Sequence, residues 1–122
     1  MQQKEQWRGP LTLSSHSSSA LAVSGTCGNP LTSPLEVLVR DSLEHPVSGI
    51  QVSFRIIAQP DQGEDALLSH FLISTDSTGL AQTELTLGSK PGSYRISARI
   101  AEGFPDNEVI FSAKASRKNW VW

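Results

Sequence analysis

The sequence predicts a small all-β sandwich, about seven antiparallel strands in two sheets packed face to face. Three observations predict it. Between Pro34 and Ala115, apolar and polar residues alternate in short runs, the period of a half-buried strand. Clusters of Gly, Pro, Asn and Asp cut these runs at intervals of roughly 10–15 residues. No run carries convincing helical spacing. A chain of this kind buries its apolar residues only by bringing two sheet faces together.

The elements follow in order. Residues 1–17 are polar, with Gly9-Pro10 and serines 14, 15, 17, 18 and 19 around His16, and read as an arm or linker. A weak alternation over Ala20–Val23 suggests a first edge strand before Gly25. Leu35, Val37 and Val39 then alternate with Glu36, Leu38 and Arg40, and Asp41-Ser42 opens a turn that Pro46 to Gly49 completes. Ile50, Val52, Phe54 and Ile56 form the next inward set. An acidic loop from Gln59 to Asp65 leads to an apolar stretch, Leu67–Ile73, expected as one strand of ambiguous register. After the Thr75–Gly79 turn, Ala81, Thr83, Leu85 and Leu87 point inward. Tyr94, Ile96, Ala98 and Ile100 make the cleanest amphipathic strand, and Val109, Phe111 and Ala113 the last. The expected core is Val37, Val39, Val52, Phe54, Leu85, Tyr94, Ile96, Val109 and Phe111. The sandwich is placed at 18–115, with 116–122 as a tail.

At 122 residues there is room for one domain with one core. A net charge of −2 leaves no electrostatic footprint for nucleic acid. A single cysteine, Cys27, excludes a disulfide within the chain and reads as a small half-buried residue. No stretch of about 20 apolar residues is present to span a bilayer. The amino end lacks the apolar core of a signal peptide, and a mature form or an excised piece of something longer is expected.

From residue 20 to 115 the order of motifs resembles the bacterial immunoglobulin-like domains of the invasin and intimin type. The first resemblance is Pro34-Leu35-Glu36-Val37-Leu38-Val39-Arg40-Asp41, followed by the Pro46-Val47-Ser48-Gly49 turn into a strand reaching Phe54. Thr75-Asp76-Ser77-Thr78-Gly79-Leu80-Ala81, Leu87-Gly88, Gly92-Ser93-Tyr94 and Phe111-Ser112-Ala113 are similar to the family's later elements. The resemblance implies an immunoglobulin-like sandwich that stacks as a stalk or presents surfaces to partners. In these elements Gly49 and Gly79 suit turn positions with positive φ, Asp41 and Asp76 suit turn-capping carboxylates, and Tyr94 is placed for a tyrosine corner. Phe54 stands where antibody domains bury a tryptophan.

Chemistry finds little support in the residues. His16, His45 and His70 lie in separate segments without metal-ligand spacing, and no serine sits in a Gly-x-Ser-x-Gly elbow. Asp61, Glu64 and Asp65 form a weak cation candidate that lacks the spacing of a calcium loop. Arg40, Arg55, Arg95 and Arg99 are expected on outward faces as solubilising and edge-protecting charges. The carboxyl end sets Arg117 and Lys118 beside Trp120 and Trp122, a pairing suited to a membrane–water boundary or to docking. With Trp7 these are the candidate partner contacts, and the loops at 59–65 and 103–107 are further candidates for recognition.

The reading is therefore a non-enzymatic adhesion or spacer module, extracellular, at the cell surface or periplasmic. It needs no cofactor, and its partners are proteins or neighbouring immunoglobulin-like repeats. The alternative is an accessory subunit of a larger, membrane-embedded complex that docks through the tryptophan-bearing tails. A carbohydrate-binding module or small hydrolase is a distant third.

Overall fold

The computed structural model describes residues 10–16, 22–31, 33–60, 66–101 and 108–117. Ten strands form among them, and no helix. They are β1 (Thr12–Ser15), β2 (Ala22–Thr26), β3 (Leu35–Arg40), β4 (Gln51–Ala58), β5 (Leu67–Leu68), β6 (Leu72–Ser74), β7 (Leu80–Thr83), β8 (Leu85–Thr86), β9 (Gly92–Ile100) and β10 (Glu108–Ser116). One sheet has the order β1-β3-β7, the other β2-β10-β9-β4-β6, and β5 pairs with β8 in a short third ladder. All pairings are antiparallel except β2 with β10, which is parallel.

The alternating runs become strands because period-two spacing puts each apolar set on the face that meets the opposite sheet. In β3 the residues Leu35, Val37 and Val39 are buried while Glu36, Leu38 and Arg40 are half-exposed. Tyr94, Ile96, Ala98 and Ile100 of β9 are all buried, as are Phe111, Ala113 and Ala115 of β10. Val52 and Phe54 are fully inaccessible on β4, and Ile50 and Ile56 pack half-buried at the rim. Eight of the nine expected core residues are buried, and Val109 is half-buried against the same cluster. The cysteine is free and half-buried, as expected.

Three expectations need correction. Residues 11–15, assigned to a linker, belong to the sandwich: Thr12–Ser15 pair with β3, and Leu11 is 1% exposed in the core. Serines hide the strand because they add little hydrophobic contrast, so the backbone ladder with β3 carries it rather than a pattern. Second, Leu67–Ile73 is not one strand. It divides into β5, paired with β8, and β6, paired with β4, so the segment crosses between sheets at Ser69–Phe71. The ambiguous register is the sequence trace of that crossing, since a strand that changes sheets also changes which face it buries. Third, ten strands form among the described residues rather than about seven: β1 is added, and the expected strands at Leu67–Ile73 and Ala81–Leu87 each divide in two.

The turns follow the expected chemistry. Gly49 and Gly79 take φ of 78° and 81°, the left-handed region. A Cβ at Gly79 would lie 2.8 Å from the Cβ of Pro46 and 2.9 Å from the carbonyl of Val39, so the position also needs the missing side chain for space.

Candidate functional site

Each of the three histidines has a polar side chain beside it. The Nδ1 of His16 lies 3.2 Å from Glu36 Oε1, and the backbone N–H of His16 donates to the Glu36 carbonyl. Nδ1 of His45 is 4.0 Å from Asp41 Oδ2, and Nδ1 of His70 is 3.2 Å from Ser69 Oγ. The three are separate from one another. Among the described residues no group of three or more His, Cys, Asp or Glu is arranged to hold a metal ion.

The Ser69–His70 contact is the nearest thing to a nucleophile beside a base. Its surroundings give it another role. Ser69 Oγ also accepts from the Glu84 N–H at 2.9 Å and is 3.3 Å from Thr83 Oγ1. Thr83, 1% exposed, accepts from the His70 N–H and donates to the His70 carbonyl, both at 2.9 Å. These bonds satisfy the backbone where the chain leaves one sheet for the other, a place with no ladder partner.

Three further clamps use the same device. Thr75 Oγ1 donates to the Val47 carbonyl at 2.7 Å and accepts from the Ile50 N–H at 3.0 Å. Asp41 is buried, and its Oδ1 accepts from the N–H groups of Leu43 and His45 at 2.9 and 3.0 Å. Asp76 Oδ1 accepts from the hydroxyl and N–H of Thr78 and from the N–H of Leu80. The Thr78 hydroxyl first, and the two backbone donors after it, hold the Asp76 carboxyl below its ordinary pKa. Tyr94, fully buried, donates its hydroxyl to the Lys90 carbonyl at 2.7 Å, which is the expected tyrosine corner. Asp41, Thr75, Asp76 and Tyr94 hold turns, and Ser69 and Thr83 hold the crossing.

Of the candidate partner contacts, Arg117 is exposed just beyond β10. Trp7, Lys118, Trp120 and Trp122 lie outside the described residues, as do the cation candidates Asp61, Glu64 and Asp65 and the loop at 103–107. The surface feature that the strands do assemble is the outer face of the five-stranded sheet. Arg55 of β4, Arg95 and Arg99 of β9 and Lys114 of β10 share that face by register. Glu108 is on it too, with Oε2 accepting from the Ser97 hydroxyl.

No protein-family model matches the chain, and no curated protein matches it. Solved structures do. The Yersinia pseudotuberculosis adhesin InvE is similar over 88% of this chain and 32% of its own, with a TM-score of 0.68 and 13% identity. The D00–D0 domain of intimin covers 88% of this chain and 46% of its own at a TM-score of 0.60 and 18% identity. A C-terminal intimin fragment, solved in complex with the intimin-binding domain of the translocated intimin receptor, covers 75% of this chain and 29% of its own at 0.53 and 20%. The fold is that of the bacterial immunoglobulin-like domains. This chain spans less than half the length of each of these chains.

In this immunoglobulin-like frame the basic face is what the sequence reading missed as a unit. It placed Arg55, Arg95 and Arg99 outward one by one, because alternation gives the face of each residue. Which outward residues become neighbours depends on the pairing register, and the order β10-β9-β4 is not written in any one strand.

Proposed function

We propose that this chain is a non-enzymatic immunoglobulin-like module of a bacterial surface protein, of the kind that spaces or presents binding surfaces in adhesins. The observation that supports it is the likeness of nearly the whole chain to domains of intimin and InvE. The internal bonding agrees with it. The polar side chains best equipped for chemistry are engaged in holding turns and crossings rather than gathered at one site. A protein partner is the class this reading favours, since an intimin fragment is itself seen bound to a protein receptor. The location that goes with it is the outer cell surface.

Labelling of the source cells with an antibody raised against the purified chain tests the proposal. Intact cells are expected to stain as strongly as permeabilised ones. Staining only after permeabilisation, or co-purification of the chain in a detergent-extracted membrane complex, overturns it in favour of the subunit reading.

A further inference from the structure

The outer face of the five-stranded sheet differs in charge from the rest of the molecule. The chain as a whole carries −2, yet this face holds Arg55, Arg95, Arg99 and Lys114 against one carboxylate, Glu108, among the described residues. The register arranges the cations in a line. Arg55 stands opposite Ser97, so Arg99 is its diagonal neighbour two positions along β9, directly opposite Glu108 on β10, and Arg95 lies two positions the other way, across the irregularity between Ile56 and Ala58. Lys114 stands opposite Ser93 and is diagonal to Arg95 in the same way. Diagonal neighbours on a sheet face are about 7–8 Å apart, so the four cations step across three strands as one continuous stripe. Arg55, Arg95 and Lys114 are exposed.

At the β6 edge the stripe meets apolar side chains. Leu72 pairs with Ser53 of β4 and is 51% exposed on the same face. Phe71, whose carbonyl accepts from the Phe54 N–H, is 65% exposed at the same edge but stands opposite the inward Phe54, on the other face by register. Ile57, two residues beyond Arg55, is 46% exposed. Arginines next to exposed aliphatic side chains suit a protein interface, where guanidinium groups bind carboxylates bidentately and apolar side chains are buried. A polysaccharide or lipid headgroup would meet the charges and leave the apolar edge unused.

We propose that this face docks an acidic protein segment whose carboxylates are interspersed with apolar side chains. The acid groups lie along Arg99–Arg55–Arg95–Lys114 and the apolar groups against Ile57 and Leu72. This names the partner of the module proposed above and rests on its being a binding module rather than an enzyme. A failed surface-labelling experiment moves the chain to another compartment without touching the face, whereas the experiment below uses purified protein and tests the face alone.

The test is titration of the full chain with four probes: a random glutamate–tyrosine copolymer, poly-glutamate, heparin and phosphatidylglycerol vesicles. The copolymer is expected to bind tighter than poly-glutamate, and both tighter than heparin or vesicles. The double variant Arg55→Glu/Arg95→Glu should weaken copolymer binding about tenfold or more. Ile57→Ser/Leu72→Ser should bring the copolymer down to the level of poly-glutamate. Arg40→Glu, on β3 of the three-stranded sheet, reverses a charge away from the face and should bind as wild type. Thermal melts establish that each variant is folded, which all four surface positions in the two face variants permit. The proposal is overturned if heparin or vesicles bind tighter than the copolymer, if the Arg40 control loses as much as Arg55/Arg95, or if no probe binds.

Discussion

The two sheets of this sandwich are built on different principles. The five-stranded sheet has long members, with eight residues in β4 and nine each in β9 and β10. Its register runs almost unbroken from β10 through β9 to β4, with one irregularity between Ile56 and Ala58. The three-stranded sheet is made of four-, six- and four-residue strands. Its neighbourhood holds three polar clamps: Asp41 at the end of β3, Thr83 at the end of β7, and Asp76 in the turn that leads into β7. Long ladders satisfy their own backbone, so a repeating apolar face is enough to specify them. Short ladders end often, and each end leaves donors and acceptors that only a side chain or a crossing strand can satisfy. Burial organises one sheet and corner chemistry organises the other.

The comparison breaks first, and with the largest effect, in the core. Phe54→Ala on β4 is expected to cost about 3–5 kcal/mol, the usual loss for a fully buried aromatic, measured by urea unfolding. Leu11→Ala, just ahead of β1, should cost about 2–5 kcal/mol although it precedes a serine-rich strand. A loss below about 1 kcal/mol for Leu11→Ala would return that segment to the linker role the sequence suggests.

Thr83→Val sharpens the contrast at the next level. It keeps the shape of the buried side chain and removes the hydroxyl, leaving the His70 N–H and carbonyl without that partner. The expected loss is about 1–3 kcal/mol, the penalty of a buried unsatisfied group. Amide exchange should locate it at the crossing between β5 and β6, with β9 and β10 still protected. Uniform loss of protection would mean that the clamp supports the whole sandwich rather than its corner.

The smallest effect concerns Asp76, an exposed turn carboxylate. Its folded pKa lies below the ordinary aspartate value, so the stability it contributes is present above that ordinary value and fades as pH falls through the folded pKa. Stability curves of wild type and Asp76→Asn should therefore differ at neutral pH and converge at acid pH. A gap that widens on acidification would contradict the hydrogen-bonded turn.

Much of the fold was legible because the code for a long amphipathic strand is local. The inward sets of β3, β4 and β9 follow from alternation at their own positions, and the turn roles of Gly49, Gly79, Asp41, Asp76 and Tyr94 follow from residue chemistry over a few neighbours. The candidate site was legible only in part. Arg55, Arg95 and Arg99 were placed on outward faces, but their joining into one stripe with Lys114 was not visible. Leu11, Thr12–Ser15 and the division of Leu67–Ile73 were missed for the same reason.

By itself the sequence determined an all-β chain, the face each long strand buries, the position of the turns and the lack of any intrachain disulfide. These are properties of a residue and its close neighbours, set by side-chain size, φ preference and period. Tertiary structure alone decided that serines 14 and 15 sit in a strand, that one apolar segment serves both sheets, and that four cations from three strands lie in a row. Those outcomes depend on which backbone groups find partners across the sheet. Hydrogen-bond pairing between distant segments is a global choice, and no single stretch of chain encodes it.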